Sequence, residues 1–266
     1  MSLRPARFAG SWYPSDPDRL RADLAGTAAL PTAAPARALI LPHAGYRFSL
    51  GVAAPALAQV TIPQTVVVLC PNHTVPPPIV AAWPSGSWET PLGSVEIDAE
   101  RTAALLRACP WVVAQEDAHL REHAIELILP LLQARRADLR LIALVVAESR
   151  YERLEALGEA LAGVLADDPD ALLIASTDMS HFLDADEARR RDERALERLL
   201  AFDPAGLLDR CEAEEITMCG VRPTAAVLVA ARARGARKVE LVRYSHSGEV
   251  SGDTERVVGY ASCVVR

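Results

Sequence analysis

Three short apolar runs in this chain each stop at a residue that can bind a metal or move a proton. "ALILPHAGY" reaches His43, "TVVVLCPNH" reaches His73, and "ALLIASTDMSH" reaches Asp178 and His181. Imidazole is the commonest metal ligand and the one side chain whose ordinary pKa lies near neutrality. Two imidazoles with one anionic donor suit iron, zinc or copper. Asp178 could equally cap a following helix, and a lone histidine is ordinarily surface or satisfied core. It is the recurrence at three run ends that points to a site.

Two further groups have suitable chemistry. Cys219 in "TMCGVRP" stands at the start of a helical pattern, where the macrodipole favours a thiolate. His123 in "REHAIELILP" has Glu126 three residues on, so both would share a face if the segment is helical. His246 in "YSHSGEVSGD" ends a strand-like run beside a Ser/Gly-rich loop able to close over a site. His119 has no such context and receives no role.

The elements that must position these residues follow from periodicity. "ARALILP", "TVVVLCP", "LRLIALVVA" and "ALLIAST" read as buried strands. Helical patterns are "DPDRLRADLAG", with Asp16 as cap, "SLGVAAPALAQV" with Pro55 inside, "DAERTAALLRAC", "EHAIELILPLLQARR" and "SRYERLEALGEALAGVLADD". Leu154, Leu157, Leu161 and Leu165 share one face of the last. "DADEARRRDERALERLLAF", "PAGLLDRCEAE" and "TMCGVRPTAAVLVAARARGA" are also helical, the third from near Cys219. "KVELVRYSHS" and "RVVGYASCVVR" close the chain as strands. Residues 4–16 form an irregular arm, and residues 78–98 a hairpin around Ser85-Gly86.

Apolar runs alternating with helices predict an α/β fold with a central, largely parallel or mixed sheet flanked by helices on both faces. No linker or repeat divides the 266 residues, so 1–266 is expected as a single domain. Ligands of such sheets bind beyond the carboxyl ends of the strands, where His43, His73, Asp178 and His181 would converge.

Bulk properties exclude several classes. Net charge is −7, which argues against nucleic acid or an anionic membrane as partner. The basic-looking "EARRRDERALER" is interleaved with acids and reads as a solvated helix face. Five scattered cysteines without a CxxC fit a reducing compartment. The stretch "MSLRPARFAGSWYP" lacks the apolar h-region of a signal peptide, and no apolar stretch reaches about 18 residues, so the expected location is the cytoplasm. GxGxxG, Walker A, HExxH and GxSxG patterns are absent.

Eight blocks in order, "RFAGSWYP", "LPHAGYRFSLG", "PNH", "WETPLGSVEID", "EHAIELILP", "STDMSHF", "TMCGVRP" and "YSHSGEVSGD", make the chain resemble the Memo family from residue 7 to its end. Memo proteins are similar to class III extradiol dioxygenases of the LigB type. The resemblance implies a LigB-like sheet and a metal centre with iron or copper, zinc being a third candidate. Carried over residue by residue, it makes His43, His73 and Cys219 metal ligands and gives Asp178, His181 and His123 catalytic positions. His181 takes the acid/base place. Tyr46 of the second block and His246 of the last are the candidate substrate contacts. Two departures stand out: Cys70 replaces the family's usual glycine, and Ala124 its usual serine. A cysteine ligand where ring-cleaving enzymes use a carboxylate favours softer metals.

The expected function is therefore a metal-dependent, dioxygenase-like oxidoreductase. The alternatives are a peptide, phosphopeptide or small-ligand binding module on the same scaffold, and a zinc hydrolase. The resemblance also implies a pathway shared with a radical-SAM protein and another small protein.

Overall fold

The computed structural model describes residues 2–74 and 80–266. The described strands, in chain order, are β1 (Leu3–Arg4), β2 (Ala38–Leu41), β3 (Thr65–Cys70), β4 (Val80–Ala82), β5 (Ser87–Thr90), β6 (Gly93–Ile97), β7 (Val112–Ala114), β8 (Arg140–Val146), β9 (Leu172–Ser176), β10 (His181–Leu183), β11 (Val239–His246) and β12 (Val257–Val265). All join one mixed sheet, whose main path runs β1-β5-β6-β8-β3-β9-β2-β12-β10. Its centre, β8-β3-β9-β2, is parallel. β12 runs antiparallel to β2 and carries β11 beyond it.

The four central strands are the four apolar runs of the sequence, and their two faces separate by residue parity. Ala38, Ile40, Val67, Leu69, Ile142, Leu144, Leu173 and Ala175 face one core, with the helices Tyr151–Val164 and Val221–Ala233. Leu39, Leu41, Val66, Val68, Leu141, Val145, Leu172 and Ile174 face the other, under the helix Tyr46–Ala58. Each fully buried branched side chain contributes about 1.5–3 kcal/mol. A one-residue register slip would exchange the two faces, so both cores fix the register. That fixes in turn where every strand ends, and so where His43, His73 and Asp178 emerge.

The structure corrects two local expectations. The antiparallel turn falls between β5 and β6, at Thr90–Gly93, and not at Ser85-Gly86. β4 pairs instead with β7 and, antiparallel, with β8. Residues 78 and 79 of the expected hairpin lie outside the described residues. The second correction concerns the helix expected over 122–136, which is helical only at Leu129–Gln133. Residues 124–128 form turns, because side chains from the N-terminal arm occupy this segment, as described below. No helix among the described residues is long and apolar enough to cross a membrane.

Candidate metal centre

His43 follows β2, His73 follows β3 and Asp178 follows β9, so three parallel strands deliver them to one edge. The rings of His43, His73 and His123 pack together, with centroids 4.7–5.3 Å apart. One ring nitrogen of each lies within 4.8 Å of the others. His123 stacks on His73 at an interplanar angle of 18°.

The hydrogen-bond network sets the tautomers. The Ser176 hydroxyl donates to the Ala124 carbonyl at 2.8 Å, and it lies 2.8 Å from His43 Nδ1. Its one proton is already committed, so Nδ1–H must donate to it and Nε2 keeps its lone pair. The Nδ1 of His73 faces both Glu122 carboxylate oxygens, at 2.9 and 3.1 Å, and leaves its Nε2 free in the same way. His123 Nδ1 lies 3.4 Å from Glu122 Oε1. A carboxylate behind a histidine is the usual support of a metal-binding imidazole.

Protonation agrees with this arrangement. Burial and the nearby His73 push His43 down to about 3. Burial and His43 push His123 down to about 4. Both are therefore neutral donors at pH 7. Burial alone would raise Glu122, but the His73 hydrogen bond and the neighbouring imidazoles hold it at about 2, a permanent anion. Burial alone would lower His73; the Glu122 hydrogen bond and charge outweigh it and raise it.

Cys219 lies just before the helix N-cap Gly220. Its Sγ is 3.4 Å from His43 Nε2 and accepts the Asp178 backbone N–H at 3.2 Å. The macrodipole expectation of a free thiolate is not met: burial and the Asp178 charge raise the thiol well above its usual range. Deprotonation at this position needs a cation to offset it. Asp178 is buried and accepts the His43 backbone N–H at 2.9 Å. Its Oδ2 lies 4.0 Å from His43 Nε2, and burial raises its pKa.

His181 is half-buried. Its backbone N–H donates to Thr217 Oγ1 at 2.8 Å, and its Nδ1–H donates to the Thr217 carbonyl at 3.0 Å. Its Nε2 is thus the basic nitrogen.

The N-terminal arm supplies one wall. Trp12 packs on His123 at 4.4 Å and Phe8 meets it edge-on at 5.8 Å. Arg4, wholly buried, ties this wall to the loop behind it. Its guanidinium donates to the carbonyls of His119 and Glu122 and pairs with Glu126. Glu126 also accepts the Phe8 backbone N–H and the Tyr13 hydroxyl. Glu126 therefore holds the arm and does not face the histidines, contrary to the helical-face expectation.

Glu122 takes the place expected of Glu126, and sequence reasoning missed it. The available signal was the adjacent "EH" pair, which only a non-helical segment turns to one site. The Tyr46 hydroxyl is committed to the Leu127 carbonyl at 2.8 Å, so Tyr46 shores up the His123 loop. His246 pairs with Gly259 in the β11–β12 ladder, and no contact among the described residues joins it to the histidines. Cys70 is wholly buried in the core beneath, among residues that include Ala124. His119 is sandwiched edge-on by Trp83 and Trp88.

The donor set fits a transition metal: three convergent imidazoles, two of them neutral at pH 7, and beside His43 a thiol that a cation would ionise. Glu122→Gln is expected to lower metal affinity by about 10–100-fold, the usual cost of losing a ligand's supporting carboxylate. A chelator-competition titration measures this, and unchanged affinity would make Glu122 a packing residue only.

A family model described as Memo-like protein matches residues 4–264. A MEMO1 family protein of Methanopyrus kandleri is 41% identical over 284 residues, covering 100% of this chain and 99% of its own length. A MEMO1 family protein of Aquifex aeolicus is 36% identical over 267 residues, covering 99% of each. Among solved structures, an uncharacterized protein from Escherichia coli K12 superposes with a TM-score of 0.50 at 14% identity, over 86% of this chain and 99% of that one. That last likeness is one of fold alone.

Proposed function

Since the chain belongs to the Memo family, we propose that it is a metal-dependent oxidoreductase of dioxygenase type, working with iron or copper. The observation that carries this is the histidine group itself. His43, His73 and His123 each have Nδ1 facing a polar group of the fold, which leaves Nε2 available, and a fourth histidine, His181, keeps one basic nitrogen unused.

His43, His73 and His123 would hold the ion, with Cys219 as the alternative or additional donor next to His43. Bound there, iron or copper supplies the one-electron steps that dioxygen chemistry needs and side chains lack. The chain's own residues do the rest. Glu122 keeps His73 oriented and its negative charge offsets part of the charge of a cation. Asp178 fixes the His43 backbone through its N–H. His181 Nε2 accepts a proton from an acidic substrate hydroxyl, while the Thr217 carbonyl steadies the imidazolium that results. Trp12 and Phe8 cover the His123 side and limit water there.

The test is metal analysis of protein purified without oxygen, followed by dioxygen uptake over a panel of catechols and small phenols. One equivalent of iron or copper and uptake with at least one substrate are expected. Zinc alone, with hydrolytic turnover and no uptake, would replace this reading with a hydrolase.

A further inference from the structure

Among the described residues, three that are not glycine have left-handed backbones: Phe182 (φ 61°), Phe202 (φ 56°) and Glu215 (φ 51°). Phe202 and Glu215 each follow a helix C-cap, Ala201 and Glu214, where such a residue is the ordinary way to stop a helix. Phe182 stops no helix. It lies in β10, at the point where the register against β12 shifts between His181 and Leu183. Bulges of this kind re-aim a side chain, often beside an active site. A bulky aromatic at positive φ is a steric outlier, and outliers of this sort gather where function requires them.

The strain gains no burial in return. Phe182 is 62% exposed, the most exposed of the large hydrophobic residues described. Its edge meets the His181 ring at 5.7 Å. The Arg256 guanidinium lies over it at 5.1 Å from the ring centre. Among the described residues Arg256 makes no ion pair or hydrogen bond, and its guanidinium is held only by this stacking on Phe182. Stacking occupies the face of a guanidinium and leaves the in-plane N–H donors open. Those donors match a carboxylate in a two-point arrangement.

We propose that Phe182 and Arg256 are specificity-determining contacts at the rim of the metal centre, receiving a substrate that joins a carboxylate to a flat apolar body. Arg256 takes the carboxylate, and the exposed part of the Phe182 ring takes the flat group. The contact with His181 places that group beside the proton acceptor. This rests on the reading of His181 given under Proposed function.

The experiment reads binding and not turnover, so the two readings fail separately. Metal-loaded protein is titrated calorimetrically with phenylacetate, phenylacetamide, cyclohexylacetate and phenyl phosphate. Phenylacetate should bind at least roughly tenfold more tightly than the uncharged amide, the scale of a charge-assisted contact. Arg256→Gln should abolish that preference while leaving the amide unaffected. Phe182→Gly should weaken phenylacetate and remove its advantage over cyclohexylacetate, without lowering Tm, because glycine relieves the left-handed backbone. The proposal is overturned if wild type binds no probe, if phenyl phosphate binds more tightly than phenylacetate, or if Phe182→Gly lowers Tm and leaves binding intact. Absence of dioxygen uptake would sink the oxidoreductase reading and leave this one standing.

Discussion

Alanine at His43, His73 or His123 is expected to give folded protein that no longer retains a metal ion through purification. Each substitution removes one of three convergent nitrogens. The loss should exceed the roughly 10–100-fold cost of removing a mere supporting partner. His43 is the most severe case, being buried and centred between the other two rings and Cys219. Elemental analysis after anaerobic preparation measures metal per chain, and circular dichroism confirms folding. Cys219→Ser completes the series. If it empties the site while His123→Ala does not, the third donor is the thiolate and not the imidazole. Equal metal content in wild type and all four variants would end the metal-centre reading.

The second large effect is at His181. His181→Ala is expected to keep metal content and lower dioxygen-consuming turnover by about 10²–10⁴-fold, the usual weight of a positioned acid or base. The Thr217 carbonyl holds Nδ1–H, so the substrate meets a defined basic nitrogen. Partial exposure lets that nitrogen return its proton to solvent. Thr217→Val should disturb only the backbone anchor at Thr217 Oγ1, and it should cost less than losing the ring. Loss of metal from His181→Ala would make it a ligand, and unchanged turnover would remove it from the chemistry.

The central strands were legible in the sequence because each is buried on both faces and reads as an unbroken apolar run. Their C-terminal residues could then be assigned to one edge by topology alone, and His43, His73 and Asp178 do emerge there. The edge of the sheet was less legible. β1, β4, β7 and β10 are two or three residues long, too short for period-two patterning to register. The His123 segment misled for a different reason. "EHAIELILPLL" carries helical spacing, but Arg4, more than a hundred residues away, claims the carbonyls of His119 and Glu122 and the Glu126 carboxylate. Periodicity within a segment cannot report a guanidinium arriving from the far end of the chain. Once the segment is turned and not coiled, Glu122 and His123 serve the same site as neighbours, and Glu126 leaves it.

The Arg4 tether also bears on when the site comes into being. The strap spans 122 positions from Arg4 to Glu126, and His43 meets Cys219 across 176. Contacts of such separation carry a loop-closure cost that is met only when the intervening chain is brought together. An emerging chain would present its histidines singly, each free to capture and lose ions without selection. Only the finished fold gathers them with Glu122 already ionised. If this group holds a metal, acquiring it would be a maturation event of the folded protein, with the ion drawn from the supply met then and not from the supply present during synthesis.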